Sequence, residues 1–318
     1  MQRLIRYGLL VILVFCTILC SSLVYLSVKD YSARFVERKG TLATARLAAA
    51  SGDSLAQKFW LTLTNTDGFN VECGMLAPRD SLRRSPAIVL LGGKTTGKNA
   101  IDYALGIENV IIVAVDYPFE PREQYSFIQF IADVPAIRQG LLDMVPSAML
   151  VMDYLRTRTD VDTSKIILLG YSLGAPFVPC IAANERRFAA AAMVYGAGEL
   201  RTLIRHNVNR YEGTLMSEFV GVLGGLLLAP LEPLRSIERI APIPFIMING
   251  TNDEKIPREN VETLFMKANE SKKIVWIESA HVNPRNPELT TRIIQTLSKE
   301  LAALGILDSS GISEKESR

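Results

Sequence analysis

Histidine is almost missing from the 318-residue chain: His206 and His281 are the only two. Cysteine is scarce as well, four residues with no Cys-x-x-Cys pair. A zinc site of the Cys/His type is therefore excluded, and a disulfide scaffold has too few members. Cys16 and Cys20 fall in an apolar N-terminal run, and only Cys73 and Cys180 belong to the body, where spacing does not say whether they meet. An excess of one charge is also lacking: 35 basic against 33 acidic residues leave +2, which makes no electrostatic case for nucleic acid. Residues 1–40 hold six basic and two acidic side chains, so the small excess is N-terminal and the body is slightly acidic. With 48% apolar and 21% charged residues the chain is not of the disordered class. It contains no internal repeat.

What the chain does have is one long uncharged run, Leu9 to Val28, preceded by Arg3 and Arg6 and followed by Lys29 and Asp30. Twenty apolar residues in a helix span about 30 Å, the thickness of a bilayer core. The readings that compete are an uncleaved signal anchor and a cleaved signal peptide. Cys20-Ser21-Ser22 offers small residues for cleavage, but Leu23-Val24-Tyr25-Leu26 continues the apolar run beyond them. Leu19 before Cys20 is too bulky for a lipoprotein box. The expectation is a single-pass transmembrane signal anchor over 1–28, with the body outside the cytoplasm, periplasmic or at the cell surface. Residues 29–56 read as a helical or flexible spacer, and 307–318 as a polar tail.

Between them, apolar strand patterns alternate with helical ones over 57–306. Phe59–Thr64 and Phe69–Leu76 flank Asp67-Gly68, a hairpin signal. Ala87–Leu91, Val110–Val115, Ile166–Leu169, Ala190–Tyr195, Pro244–Ile248 and Lys273–Ile277 are short apolar runs that suit strands covered on both faces. Ala148–Arg158 has helical character, whereas Pro118–Pro146 is long for a loop, contains aromatic residues and does not fit the alternation. A last helix starts at the cap Asn286, carries Leu289, Ile293, Ile294, Leu297 and Leu301 on one face, and closes at Gly305. The order implies an α/β fold: a mostly parallel sheet with helices on both faces. The segment 199–240, with the glycine-interrupted apolar stretch Phe219–Leu231, is expected to be a cap insertion over the carboxyl end of the sheet. Its length and Glu218 argue against a second membrane span.

The most informative segment is Lys165–Ala175, a strand followed by Gly170-Tyr171-Ser172-Leu173-Gly174, that is G-x-S-x-G, and small residues opening a helix. A serine on so sharp a turn needs tiny neighbours two positions away. Serine is a weak nucleophile at its free pKa, so it needs a base and an anion site. Leu173 N–H at the turn supplies part of the latter. Downstream, Asp253 and His281 each follow a strand, in the order Ser, Asp, His. His281 would take the serine proton and Asp253 would hold the imidazole tautomer; Glu254 is the fallback acid and His206 the competing base. At these residues the chain resembles the α/β-hydrolase superfamily over about 57–305, and Gly250–Pro257 is similar to the G-x-x-D-x-x-[VI]-P acid loop of dienelactone-hydrolase-like esterases and related peptidases. Dienelactone hydrolases proper use cysteine where Ser172 stands. The resemblance also implies an oxyanion-hole segment after the third strand, where Leu91-Gly92-Gly93-Lys94 puts leucine in a position often held by histidine. Gly93 or Lys94 would donate there, and Gly93 is taken with Leu173 as the pair.

The same loop contains a rival motif. Gly92–Lys98 matches G-x-x-x-x-G-K, with Asn99 in place of the usual Ser or Thr, and Val110–Val115 ends in Asp116 like a Walker B acid. A P-loop-like nucleotide-binding protein is therefore a second reading, and a non-catalytic α/β-hydrolase-like binding protein a third. The first expectation is a serine hydrolase that cleaves a carboxylic ester, or a thioester, amide or peptide, through an acyl-enzyme on Ser172. No metal or organic cofactor is implied. The partners expected are a small-molecule or acyl-bearing substrate and, through the N-terminal helix, a membrane.

Overall fold

Asn65 shows how local chemistry starts the sheet. Its side-chain oxygen accepts the N–H groups of Asp67 (2.9 Å) and Phe69 (2.7 Å), closing the hairpin turn at Asp67-Gly68. Its amide nitrogen donates to the carbonyls of Arg38 and Lys39, tying that turn to the helix before it. In the computed structural model, residues 2–50, 56–79, 83–94, 96–103, 109–119, 127–283 and 285–307 are described.

The elements in chain order are α1 (Gln2–Val28), α2 (Ser32–Lys39), β1 (Leu42–Ala49), β2 (Ala56–Asn65), β3 (Asn70–Pro78), β4 (Ser85–Leu91), a 3-10 turn (Gly97–Tyr103), β5 (Ile111–Val115), α3 (Phe127–Thr157), β6 (Val161–Tyr171), α4 (Phe177–Asn184), β7 (Ala190–Val194), α5 (Leu200–Glu212), α6 (Thr214–Leu227), α7 (Pro233–Ser236), β8 (Phe245–Gly250), α8 (Arg258–Lys267), β9 (Lys272–Ile277) and α9 (Pro287–Ala303). The nine strands form one sheet in the order β1-β2-β3-β5-β4-β6-β7-β8-β9. The first three pair antiparallel and β3 meets β5 antiparallel, while all pairs from β5 to β9 are parallel. This is the α/β-hydrolase fold. Its parallel strands are apolar almost throughout because both faces are covered. Residues of α2, α3, α4 and α8 pack on one face, and α9 with the 97–103 turn on the other. Strand order reverses around β4, which opens a crevice at the carboxyl ends of β4 and β6.

Three expectations are corrected. The stretch read as a spacer contributes α2 and β1. Arg38 makes a two-pronged contact with the buried Asp143, Lys39 pairs with Asp153, and Phe35 is buried. Strand β1 is exposed along nearly its whole length, so its order comes from pairing with β2 and not from a hydrophobic pattern. Second, the stretch before Pro146 that fits no simple alternation is largely helical, since α3 runs through Pro135 and Pro146. An interior proline costs about 3 kcal/mol. Each of Leu142, Met144, Val145, Met149, Leu150, Met152 and Leu155 is buried in return, at about 1.5–3 kcal/mol apiece, and burial prevails.

The third correction concerns the membrane. The apolar run is helical, but among the described residues no helix is long and apolar enough to cross a membrane. The single-pass, extracytoplasmic placement drawn from it is overturned, and the membrane partner is left without support. Its carboxyl end is instead packed against the protein: Ser27 is buried and its carbonyl accepts a hydrogen bond from Arg235. The expected polar tail beyond Leu307 lies outside the described residues.

The three glycines that interrupt the apolar stretch of α6 let it lie close on α5. A Cβ at Gly221, Gly224 or Gly225 would come within 2.9, 2.8 and 2.8 Å of Arg205, Ile204 and Arg201 side-chain atoms. Cys73 and Cys180 are separate, buried free thiols. Burial pushes the Cys180 thiol up to about 12 and the Cys73 thiol higher still, so neither is poised for thiolate chemistry.

Helix α9 begins where the Asn286 side chain accepts the Leu289 N–H at 3.0 Å. Asn286→Ala is expected to lower stability by about 1 kcal/mol. Denaturant unfolding should show this as a lower midpoint with an unchanged slope.

Candidate active site

Strand β6 ends at Tyr171, and the chain turns so sharply that Ser172 adopts φ +52°, the left-handed region. For a non-glycine residue such a conformation costs on the order of 1–3 kcal/mol and must be imposed by its surroundings. The flanking glycines make it feasible: a Cβ at Gly170 would sit 2.5 Å from the Gly174 carbonyl, and one at Gly174 only 2.2 Å from the Leu91 carbonyl. The serine is thereby held out at the carboxyl edge of the sheet, beside the end of β4.

Three side chains expected from the sequence meet there. Ser172 Oγ lies 2.9 Å from His281 Nε2, and His281 Nδ1 lies 2.8 Å from Asp253 Oδ2. The His281 and Asp253 side chains are only 6% and 1% exposed, so these bonds are shielded from water. The other Asp253 oxygen accepts the N–H groups of Lys255 (2.8 Å) and Ile256 (3.1 Å), which fixes the carboxylate by its own loop. Glu254, the fallback acid, points elsewhere: its carboxylate accepts the His281 backbone N–H at 3.2 Å. Burial alone would raise the Glu254 carboxyl, but that bond, its own N–H and the neighbouring His281 and Arg210 leave it below the usual range.

The partner of Ser172 is His281, and His206, the competing base, is bonded elsewhere. From α5 its Nε2 donates to the Glu254 carbonyl at 2.9 Å, Arg210 donates to the same carbonyl at 2.8 Å, and Asn207 donates to the Lys255 carbonyl at 2.9 Å. Helix α5 thus clamps the backbone next to Asp253. The sequence reading missed this clamp. The three residues are offset by one and four positions on a helix, so one face carries them all, but nothing local says what that face meets.

Of the expected anion-site residues, Gly93 lies against the serine, its ideal Cβ position 3.8 Å from Ser172 Cβ. The Gly93 carbonyl accepts from Thr96, and the Tyr171 hydroxyl donates to Thr96 Oγ1 at 3.2 Å. Leu173 is 39% exposed beside the serine, whereas Leu91, in the position of the familiar histidine, is a fully buried core residue.

The rival phosphate-loop motif is filled by the protein itself. Asp116 Oδ1 accepts the N–H groups of Lys98 (3.2 Å) and Tyr117 (3.1 Å), and its Oδ2 pairs with Lys98 Nζ at 3.1 Å. The carboxylate stands where a phosphate oxygen would, and a 3-10 turn follows instead of the α-helix that such loops feed. Among the described residues there is no cluster of three or more His, Cys, Asp or Glu able to hold a metal ion. An apolar cleft runs between α9 and the sheet, lined by Leu169, Tyr171, Val194, Val282, Ile293 and Leu297; in the chain Tyr171 precedes Ser172 and Val282 follows His281.

Comparison with known proteins agrees with this architecture. The model of the prolyl oligopeptidase family matches residues 143–283, a stretch containing the serine, the acid and the histidine. The uncharacterized protein YfhR of Salmonella typhimurium is 30% identical over 145 residues, 44% of this chain and 47% of that protein. The alpha/beta hydrolase domain-containing protein WAV2 of Arabidopsis thaliana is 26% identical over 141 residues, covering 41% and 42% of the two chains. The chain thus spans about half the length, or less, of the curated relatives it matches. Acetyl xylan esterase 1 from Thermoanaerobacterium sp. superposes with a TM-score of 0.65 at 14% identity, over 87% of this chain and 93% of that one. At that identity the likeness is one of fold.

The clamp has a measurable consequence. In Asn207→Ala/Arg210→Ala, amide hydrogen exchange over 253–256 should accelerate while exchange in β4 and β6 stays as in the parent. Unchanged exchange in the acid loop would show that α5 does not hold it.

Proposed function

We propose that the chain, whose fold is that of the α/β-hydrolases, is a serine hydrolase cleaving carboxylic esters through an acyl-enzyme on Ser172. The observation that carries this reading is the continuous hydrogen-bonded path from Ser172 through His281 to Asp253. As Oγ attacks the ester carbonyl, His281 Nε2 takes its proton, and the Asp253 carboxylate, bonded to Nδ1–H, steadies the imidazolium that forms. The oxyanion of the tetrahedral intermediate is held by the N–H groups of Leu173 and Gly93. The intermediate collapses, the C–O bond to the alcohol breaks, and His281 returns the proton to the leaving alkoxide. Water then attacks the acyl-enzyme by the same steps, releasing the acid and regenerating Ser172.

The hairpin of α5 and α6 serves as the cap of the catalytic unit, to which α2 and β1 also belong. The apolar cleft beside Tyr171 and Val282 supports an apolar acyl or alcohol group in the substrate. Esters are placed first, with acetyl xylan esterase among the solved structures of like fold. A peptide substrate is the second reading, favoured by the prolyl oligopeptidase match through the site region.

A fluorophosphonate probe should label the folded parent protein and leave Ser172→Ala unlabelled. Asp253→Asn should retain the fold but lose on the order of 10³–10⁴ in kcat toward p-nitrophenyl acetate. Absence of labelling in the folded parent protein would overturn the hydrolase reading in favour of a binding protein.

A further inference from the structure

One aromatic residue outside the serine–histidine–aspartate path touches His281, the loop that carries it and the strand that leads to Asp253. Tyr195 follows β7 with φ +53°, a left-handed backbone at a large side chain, and it is fully buried. Such a conformation persists only where packing over-determines it, and it is a pointer to function. Its N–H donates to the Ile248 carbonyl at 2.7 Å, in the strand that leads to Asp253. Its ring meets the His281 ring edge-on, with centroids 5.7 Å apart and planes at 86°. Its hydroxyl is hydrogen-bonded to Ser279 Oγ, two residues before His281. The Ser279 carbonyl in turn accepts the Asn252 N–H at 3.0 Å, one residue before Asp253. Space for the ring depends on Gly250, where a Cβ would fall 2.8 Å from Tyr195 Cε1 and 2.7 Å from the Ser279 carbonyl.

We propose that Tyr195 is the positioning residue for His281, its ring orienting the imidazole and its hydroxyl fixing the 278–283 loop through Ser279. The inference rests on the reading of Ser172 and His281 as nucleophile and base. The imidazole must stay within hydrogen-bond reach of Oγ while gaining and losing a proton, and no strand or helix carries it. Ala280 and Glu278 beside it are exposed, so the loop has little packing of its own. The Tyr195 ring and the Ser279 bond supply the constraint from the sheet side, as the Glu254 carboxylate does through the His281 N–H from the other. Small displacements at such a site are costly: about 1 Å of misplacement removes on the order of 10² in rate.

Tyr195→Phe keeps the ring and loses the hydroxyl, and Ser279→Ala removes the partner of the same bond. Each is expected to lower kcat toward p-nitrophenyl acetate about tenfold with KM within about twofold, because the base is displaced and not the substrate pocket. The double variant should fall no further than either single one, and Ser279→Thr, which keeps a hydroxyl, should return kcat to within about twofold of the parent. Turnover is to be expressed per serine titrated by the fluorophosphonate, which separates misfolded protein from slow protein. A parent protein that labels, with both single variants at parental kcat per titrated site, would overturn the proposal while leaving the hydrolase reading intact. A parent protein that does not label overturns the hydrolase reading instead. Amide exchange over 278–283 tests the loop contact in either case: it should accelerate in Tyr195→Phe and in Ser279→Ala, and unchanged exchange in both sinks the proposal.

Discussion

The approach of Gly174 to the Leu91 carbonyl is the constraint on which the site depends. No side chain larger than hydrogen fits there, since a Cβ would lie 2.2 Å from the oxygen. That contact brings the turn after β6 against the end of β4, and with it Ser172 against Gly93. The left-handed Ser172 is the local consequence, strained by on the order of 1–3 kcal/mol. The strain is tolerable because the strands on either side are buried over both faces and do not yield.

Around this rigid edge the two remaining side chains are carried by loops, and each loop is held from more than one direction. The acid loop is tied by Asp253 to its own amides, by α5 to its carbonyls and by Asn252 to the Ser279 carbonyl. The histidine loop is tied to Glu254 on one side and Tyr195 on the other. Preorganisation of this kind is what lets hydrogen bonds count in catalysis, because no ordering cost is left for the moment of reaction. The same economy explains Asp116, whose carboxylate occupies the nest of Lys98 and Tyr117 amides and so stiffens the loop that bears Gly93.

Much of this is legible in the amino-acid sequence. The alternation of short apolar runs with helical patterns specified a mostly parallel sheet, since only strands covered on both faces read as continuous apolar runs. Gly170, Ser172 and Gly174 announced a tight turn because steric demand is local, and His281 stood out because only one other histidine exists. Other features were hidden for physical reasons. Strand β1 is ordered by pairing with β2, and the Ala-rich 42–49 carries no periodic burial to betray it. Helix α3 continues through two prolines because the core, not propensity, stabilises it. The N-terminal apolar run suggested a membrane span on hydropathy alone, which cannot register that Ser27 at its end packs against the body.

The amino-acid sequence by itself determined the class of fold, the strained serine turn and the chain order of serine, acid and histidine, because each depends on neighbours along the chain. Only the tertiary structure decided that Asp253 and not Glu254 faces the imidazole, that His206 serves the acid loop, that Asp116 fills the phosphate-like nest and that Tyr195 backs His281. Those pairings join residues distant along the chain, and whether two such groups lie within hydrogen-bond reach is settled by packing alone.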